Sequence, residues 1–566
     1  MLLFSSSHLV LLSVVFVSST YSQYVQSNTS STLKGRTVDL GYSQYQGYID
    51  SQTEKEFFLG IRFAEQPVRF QAPIRPKVNR TAVLQGNVYG AQCHQFSTSS
   101  NGSVGVSASS SGLVPTSEDC LFLNVWRPAN STNTNLPVIV QIHGGAYASG
   151  NGRNDPTFWQ DITGTEFIFV SIQYRLGSFG FLASADVHEH GALNAGLLDQ
   201  RLALQWVQEH IGSFNGDPYN VTIFGESAGG GSVMNHLLAY GGTLGSTLFR
   251  SAIAASPYLP KQYDYASAFT SNLYYSVLKN AGCSDDSSLA RGAAFDCLTS
   301  LDADKFLTAS QSVVNNTLFG TLGFAPVTDG VFLQGSPTRQ LLERKVNGER
   351  AMVGYNTHDG LLFVPQNLQT RQDFLNYLSD LLPLFSNVSM AQVLKYYPEP
   401  AFSSGLYATQ VERAATIYGD LTFLCPGQWI ADAFSTSYRY QYAVGSAIHA
   451  IDLPHYLPQP PVLVYPSIDN NLSRVIDTAF TSFVMGGTPK LVNSTLDFPL
   501  WNGADYGRQL TFNTTNGVSF TLPIQGLNVS LSFGGDVALS VQSGGLTLNG
   551  NSRCDFWRSN SVLVPT

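Results

Sequence analysis

Val221-Thr222-Ile223-Phe224-Gly225-Glu226-Ser227-Ala228-Gly229 decides how this chain is read. Residues 219–224 are rich in the β-branched and aromatic side chains of a strand, and 232–238, Ser-Val-Met-Asn-His-Leu-Leu, suit a helix. Gly-x-Ser-x-Gly between a strand and a helix is the signature of a nucleophile elbow. The serine occupies a tight, strained turn with its hydroxyl pointing outward, and side chains at the flanking glycines would collide with the strand and the helix. The five residues alone also fit a glycine-rich turn with an incidental serine, so the surrounding sequence decides.

That sequence alternates. Residues 137–142 and 167–173 read as buried strands, 197–211 as a helix with Leu198, Leu202 and Trp206 four apart on one face, and 250–255 and 351–354 as further strands. Alternating strands and helices predict an α/β fold, a mostly parallel central sheet with helices on both faces. The Ser- and Gly-dominated stretch 97–112 reads as a flexible loop, and 509–548, rich in Gly, Thr and Val, as irregular strands. No linker is long enough to split the chain.

With 566 residues and 43% hydrophobic content the chain has ample material for one large core. A net charge of −9 with only 30 Lys+Arg argues against a nucleic-acid partner. Residues 9–17 form an apolar core, followed by small residues with Thr20 and Ser22 spaced for cleavage before Gln23. Residues 1–22 therefore read as a secretory signal peptide and 23–566 as a single catalytic domain, secreted and extracellular. No later run is long and apolar enough to anchor the mature chain in a membrane. Eleven Asn-x-Ser/Thr sequons, at Asn28, Asn79, Asn101, Asn130, Asn220, Asn315, Asn387, Asn471, Asn493, Asn513 and Asn528, agree with export. So does the even set Cys93, Cys120, Cys283, Cys297, Cys425 and Cys554, which lacks a Cys-x-x-Cys pair and reads as disulfides of open connectivity.

A serine becomes a nucleophile when a base takes its proton and a third group orients that base. At an elbow the chain order is Ser, acid, His. His449 follows a β-like segment, 438–444, and the small turn Gly445-Ser446-Ala447, where a base belongs, whereas His455 follows Pro454 and reads as a loop residue. The acid should end a strand between Ser227 and His449. Asp359, after Ala351-Met352-Val353-Gly354-Tyr355, is the choice, and Asp329, in Pro326-Val327-Thr328-Asp329-Gly330, its rival. The oxyanion formed on attack needs backbone N–H donors, one from the residue after the nucleophile, Ala228, and others from a glycine turn after an earlier strand, met by His143-Gly144-Gly145-Ala146.

With these residues in place the chain resembles the type-B carboxylesterase/lipase family, which includes secreted fungal lipases and cholinesterases. The resemblance covers nearly the whole mature chain. It is carried by Glu118-Asp119-Cys120-Leu121-Phe122-Leu123-Asn124-Val125, Gly196-Leu197-Leu198-Asp199-Gln200, Ala203-Leu204-Gln205-Trp206-Val207, Gly216-Asp217-Pro218, the elbow itself and Cys554-Asp555-Phe556-Trp557. It implies the α/β-hydrolase fold and ester hydrolysis through an acyl-enzyme, with Ser227 as nucleophile, Asp359 as acid and His449 as base. It further implies oxyanion donors at Gly145, Ala146 and Ala228, and the pairings Cys93–Cys120, Cys283–Cys297 and Cys425–Cys554. The chain departs from the family twice: His358-Asp359-Gly360 stands where Asp-Glu-Gly is usual, so the loop must lean in or the imidazole shift, and Ala146 replaces a third glycine.

The substrate is a small-molecule ester, and no metal or cofactor is required, since the triad supplies the chemistry. In the family's lipases the loop between the first two cysteines carries an amphipathic lid helix. Here residues 94–119 show no helical apolar stripe, which favours a carboxylesterase acting on dispersed, fairly apolar esters over the alternative, a true lipase or sterol esterase. The loop has no Trp or Tyr, which argues against choline esters. A non-catalytic binding module of the neuroligin kind would lack the serine that Ser227 supplies. Oligomeric state is not legible in the sequence.

Overall fold

The computed structural model describes residues 34–51, 53–97, 115–283, 292–321, 323–403, 405–457, 470–492, 494–501, 507–516, 518–524, 527–533, 536–543, 550–564 and 566. Residues 1–22, read above as a signal peptide, and all but Ser97 of the Ser/Gly stretch 97–112 lie outside the described residues.

A single large sheet organises these residues. Its order is Lys34–Asp39, Gln44–Asp50, Lys55–Arg62, Phe122–Pro128, Ile168–Ile172, Leu136–Ile142, Gly216–Glu226, Ser251–Ala255, Arg350–Asn356, Ser437–Tyr442, Arg508–Thr515, Asp536–Ser543. From Ile168–Ile172 to Arg508–Thr515 every pairing is parallel, while the preceding pairings along this order and the last pair are antiparallel, and the short strand Val83–Gln85 joins Gln44–Asp50 in parallel. The stretch read as irregular strands thus extends the sheet with Arg508–Thr515 and Asp536–Ser543 and sets a hairpin, Val518–Ile524 with Leu527–Phe533, apart from it.

The parallel strands are buried on both faces, as continuous apolar runs predict. Along them side chains alternate: Val138, Val140 and Ile142 enter one core with Leu197, Val233 and Leu237, whereas Ile139, Phe224, Ile253 and Met352 enter the other. Helices Ala195–His210 and Ala228–Leu238 supply the first face, and Thr157–Thr163 and Asn470–Gly486 the second. On that second face the Trp159 ring packs edge-on against Phe224 and Phe480 and its Nε1–H donates to Thr481 Oγ1 at 2.8 Å. Three disulfides, Cys93–Cys120, Cys283–Cys297 and Cys425–Cys554, join loops and helices around the sheet.

Register aligns the strand ends. Ile142 pairs with Gly225, Glu226 with Ala255, Ala255's neighbour Ala254 with Val353, and Asn356 with Tyr442. The residues that follow these strands, His143 to Ala146, Ser227, Ser256, Asp359 and His449, are therefore delivered to one edge, the carboxyl edge where ligands of open α/β sheets bind.

Candidate active site

Ser227 sits between strand Gly216–Glu226 and helix Ala228–Leu238 with φ 57° and ψ −125°, a conformation that costs on the order of 1–3 kcal/mol in a non-glycine residue. Its backbone is held from three sides. Ser227 N–H donates to Ala255 O at 3.0 Å, and its carbonyl accepts from Tyr258 N at 3.0 Å and Gly231 N at 2.8 Å. The turn closes so tightly that a Cβ on Gly225 would stand 2.3 Å from Gly229 C, and one on Gly229 would stand 2.1 Å from Ile142 O. Those distances are the physical content of the two flanking glycines.

His449 Nε2 lies 2.8 Å from Ser227 Oγ, and His449 Nδ1 lies 2.7 Å from Asp359 Oδ1. All three side chains are enclosed, at 8%, 8% and 3% exposure for Ser227, His449 and Asp359. The rings of Phe363 and Phe423 flank His449 at 5.1 and 4.5 Å between centroids. Phe423 is brought there by a π-helical turn, Asp420–Leu424, between two α-helices.

The loop of Asp359 is laced to that of His449. Thr357 N–H donates to Tyr442 O at 3.0 Å and His358 N–H to Ala447 O at 2.9 Å, and His358 Nδ1 lies 2.7 Å from Ser446 O. Asp359 Oδ2 accepts from Ser256 Oγ at 2.9 Å and from Asn356 N at 2.8 Å, which leaves Oδ1 to the imidazole. The rival Asp329 lies elsewhere, in a turn where Oδ1 accepts from Val331 N and Leu333 N and Oδ2 from Asn194 Nδ2. His455 belongs to a short helix and is held between Tyr442 OH and Ser473 Oγ.

The turn after Leu136–Ile142 faces the serine. A Cβ on Gly144 would stand 3.2 Å from Ser227 Cβ. Gly145, Ala146 and Tyr147 have φ of 99°, 65° and 57°, and the N–H groups of Gly145, Ala146 and Ala228 donate to no group among the described residues. His143 stacks on Tyr174 at 4.3 Å beneath this turn, and burial pushes its pKa down to about 4, so the ring is neutral there.

Besides Ser256, three buried groups are additions to the sequence-based set. Glu226, the second residue of the elbow, places Oε1 3.4 Å from His449 Nε2, and Oε1 has no hydrogen-bond partner among the described residues. Burial pushes Glu226 up to about 8 against the pull of His449. Asn356 donates through Nδ2 to Ile448 O and to Asp452 Oδ1, and Asp452 Oδ2 accepts from Tyr456 OH. At His449 burial acts to lower the pKa, but Glu226, Asp359 and Asp452 outweigh it, and the net direction is upward from 6.5. Glu226 was within the quoted motif, yet only its facing the imidazole assigns it an effect.

Comparison with known proteins bears on the family and the fold. The family model described as "Carboxylesterase family" matches residues 34–521. The chain is 31% identical to carboxylesterase patB of Penicillium expansum, over 82% of this chain and 90% of that one. It is also 31% identical to a secreted lipase, ARB07186/07185, of Arthroderma benhamiae, over 77% and 81% of the two chains. The crystal structure of Aspergillus niger EstA superposes with a TM-score of 0.77 at 26% identity, covering 95% of this chain and 100% of that one. The fold is that of the α/β-hydrolases, and the chain belongs to the carboxylesterase family, as a carboxylic ester hydrolase.

Proposed function

We propose that the protein is a secreted serine carboxylesterase for dispersed, fairly apolar esters, with Ser227 as nucleophile, His449 as general base and Asp359 as the acid that orients it. The observation that carries this reading is the continuous hydrogen-bonded line from Ser227 Oγ through His449 to Asp359 at 2.8 and 2.7 Å. Ser227 Oγ attacks the ester carbonyl while its proton passes to His449 Nε2. Asp359 holds Nδ1–H and stabilises the imidazolium. The N–H groups of Gly145, Ala146 and Ala228 receive the negative charge on the former carbonyl oxygen. The intermediate then collapses, the C–O bond to the alcohol breaks, and His449 gives its proton to the leaving oxygen. Water, deprotonated by His449, attacks the acyl-Ser227 ester, and the carboxylic acid leaves as Ser227 regains its proton.

Secretion, with residues 1–22 as the signal and 23–566 as the catalytic domain, is supported by the three disulfides, by the secreted lipases among the relatives, and by the fact that no helix among the described residues is long and apolar enough to cross a membrane. Those relatives also favour the second reading, a lipase. Hydrolysis of p-nitrophenyl esters of two to sixteen acyl carbons, below and above their solubility limits, separates the two. Activity peaking on dissolved short or medium esters supports the esterase, and a rate jump at the interface with long-chain preference assigns the lipase.

A further inference from the structure

The turn that follows strand Leu136–Ile142 has a second layer behind it. After Tyr147 the chain folds back, and the N–H groups of Ala148 and Ser149 donate to Gly145 O at 3.0 and 2.8 Å. Ser149 and Gly150 then press directly against residues 143–145. A Cβ on Gly145 would stand 2.2 Å from Ser149 O. One on Gly150, whose φ is 111°, would stand 2.3 Å from His143 Nδ1 and 2.6 Å from Gly144 O. Where Ser149 and Gly150 sit therefore sets where the Gly145 and Ala146 N–H groups point.

Gly150 is held by one side chain. Its N–H donates to Gln95 Oε1 at 2.7 Å, and its carbonyl accepts from Gln95 Nε2 at 3.0 Å. The amide of Gln95 thus pairs with both polar groups of Gly150, as a neighbouring strand would, and Gly150 N–H has no other acceptor among the described residues. Gln95 is itself anchored. Its Nε2 also donates to Cys93 O at 2.8 Å, and Phe96 N–H donates to Ala148 O at 2.8 Å. Cys93 is bonded to Cys120, just before strand Phe122–Pro128, so the clamp is tied at its far end to the sheet. None of these hydrogen bonds of Gln95 is to Ser227, His449 or Asp359.

We propose that Gln95 is a positioning residue for the oxyanion hole. Its amide fixes Gly150, Gly150 fixes residues 143–145, and the N–H groups of Gly145 and Ala146 are thereby aimed at the oxygen that becomes negative. The inference rests on the reading of Ser227 as nucleophile and of those groups as oxyanion donors. Donors that need no reorganisation as charge develops act on the transition state, so the effect of Gln95 falls on kcat and not on binding of the uncharged ester.

The test is Gln95→Met, which keeps the length of the side chain and removes its hydrogen bonds to Gly150. On a dissolved p-nitrophenyl ester it lowers kcat by about tenfold to a hundredfold, below the loss of an entire oxyanion donor and on the scale of a displaced one. KM stays within about twofold of wild type. Two inhibitors of one chain length separate positioning from general damage. A trifluoromethyl ketone adds Ser227 Oγ to its carbonyl carbon, passes the serine proton to His449 and places an oxyanion on the three donors, whereas the methyl ketone binds without that addition. Gln95→Met weakens the trifluoromethyl ketone by about the factor lost in kcat/KM and leaves the methyl ketone unchanged. If Gln95→Met does not fold in a thermal melt, Gln95→Ser, which leaves room for water to pair with Gly150, takes its place with the same expected split. An unchanged kcat in the folded variant overturns the proposal, and so does equal weakening of both ketones, which would make Gln95 a residue that only shapes the pocket. Tighter binding of the trifluoromethyl ketone by wild type, lost in Ser227→Ala, keeps failure of this proposal distinct from failure of the catalytic reading.

Discussion

Asp359→Asn is the most informative single change, because the structure dictates which way the new amide points. Oδ2 of Asp359 accepts two donors, Ser256 Oγ–H and Asn356 N–H, while Oδ1 faces His449 Nδ1. An amide with its NH₂ toward those two donors would forfeit both hydrogen bonds, at about 1 kcal/mol each or more, a preference of at least about thirtyfold for the other orientation. The NH₂ group therefore faces Nδ1 and obliges it to accept. The imidazole proton then resides on Nε2 and points at Ser227 Oγ, and the base is lost although every heavy atom stays in place. A triad acid changed this way lowers kcat by about 10⁴. The assay is steady-state hydrolysis of p-nitrophenyl butanoate below its solubility limit, with a thermal melt to establish folding. A folded variant with kcat within tenfold of wild type would refute the orienting role of Asp359 and reopen the assignment of the acid.

Other changes test the surroundings. Since His449 must be neutral to accept a proton and its pKa is displaced upward from 6.5, kcat/KM falls as the pH drops through a value above 6.5. Glu226→Gln removes the strongest upward influence and moves that acid limb to lower pH, and a limb that stays put contradicts the coupling. Cys425→Ser with Cys554→Ser opens a link between residues 129 apart and lowers stability by about 2–4 kcal/mol in urea unfolding, whereas an unchanged midpoint would show the C-terminal helix to be held without it. Asp477 is buried with no hydrogen-bond partner for either carboxylate oxygen among the described residues, and burial raises its pKa well above 3.8. The folded state holds that proton more tightly than the unfolded state, so its stability falls as the pH rises above 3.8. Asp477→Leu therefore stabilises the protein by about 1–3 kcal/mol at pH 8 and flattens the pH dependence of Tm, and equal Tm values across pH would contradict this.

The legible parts of the fold were those with strong local signals. The apolar runs around 138–142, 168–172 and 221–224 are buried strands with both faces covered, and a parallel sheet follows from that burial pattern alone. The N-terminal antiparallel strands gave little signal because they mix polar with apolar residues, as in Gln44–Asp50. Arg508–Thr515 lacks an apolar run and becomes a strand by pairing with Ser437–Tyr442. At the site, Ser227 and His449 could be picked out by motif and chain order, whereas Ser256, Asn356 and Asp452 gain their contacts from register between strands distant in sequence.

The central claim is that Ser227 carries the acyl group. Acid quenching within the first turnovers on a p-nitrophenyl ester, followed by peptide mass mapping, reads this directly. The account predicts one acyl group on the peptide containing Ser227, formed with a burst of p-nitrophenol and absent from Ser227→Ala. An acyl group on another residue, or turnover that persists in Ser227→Ala, would contradict it.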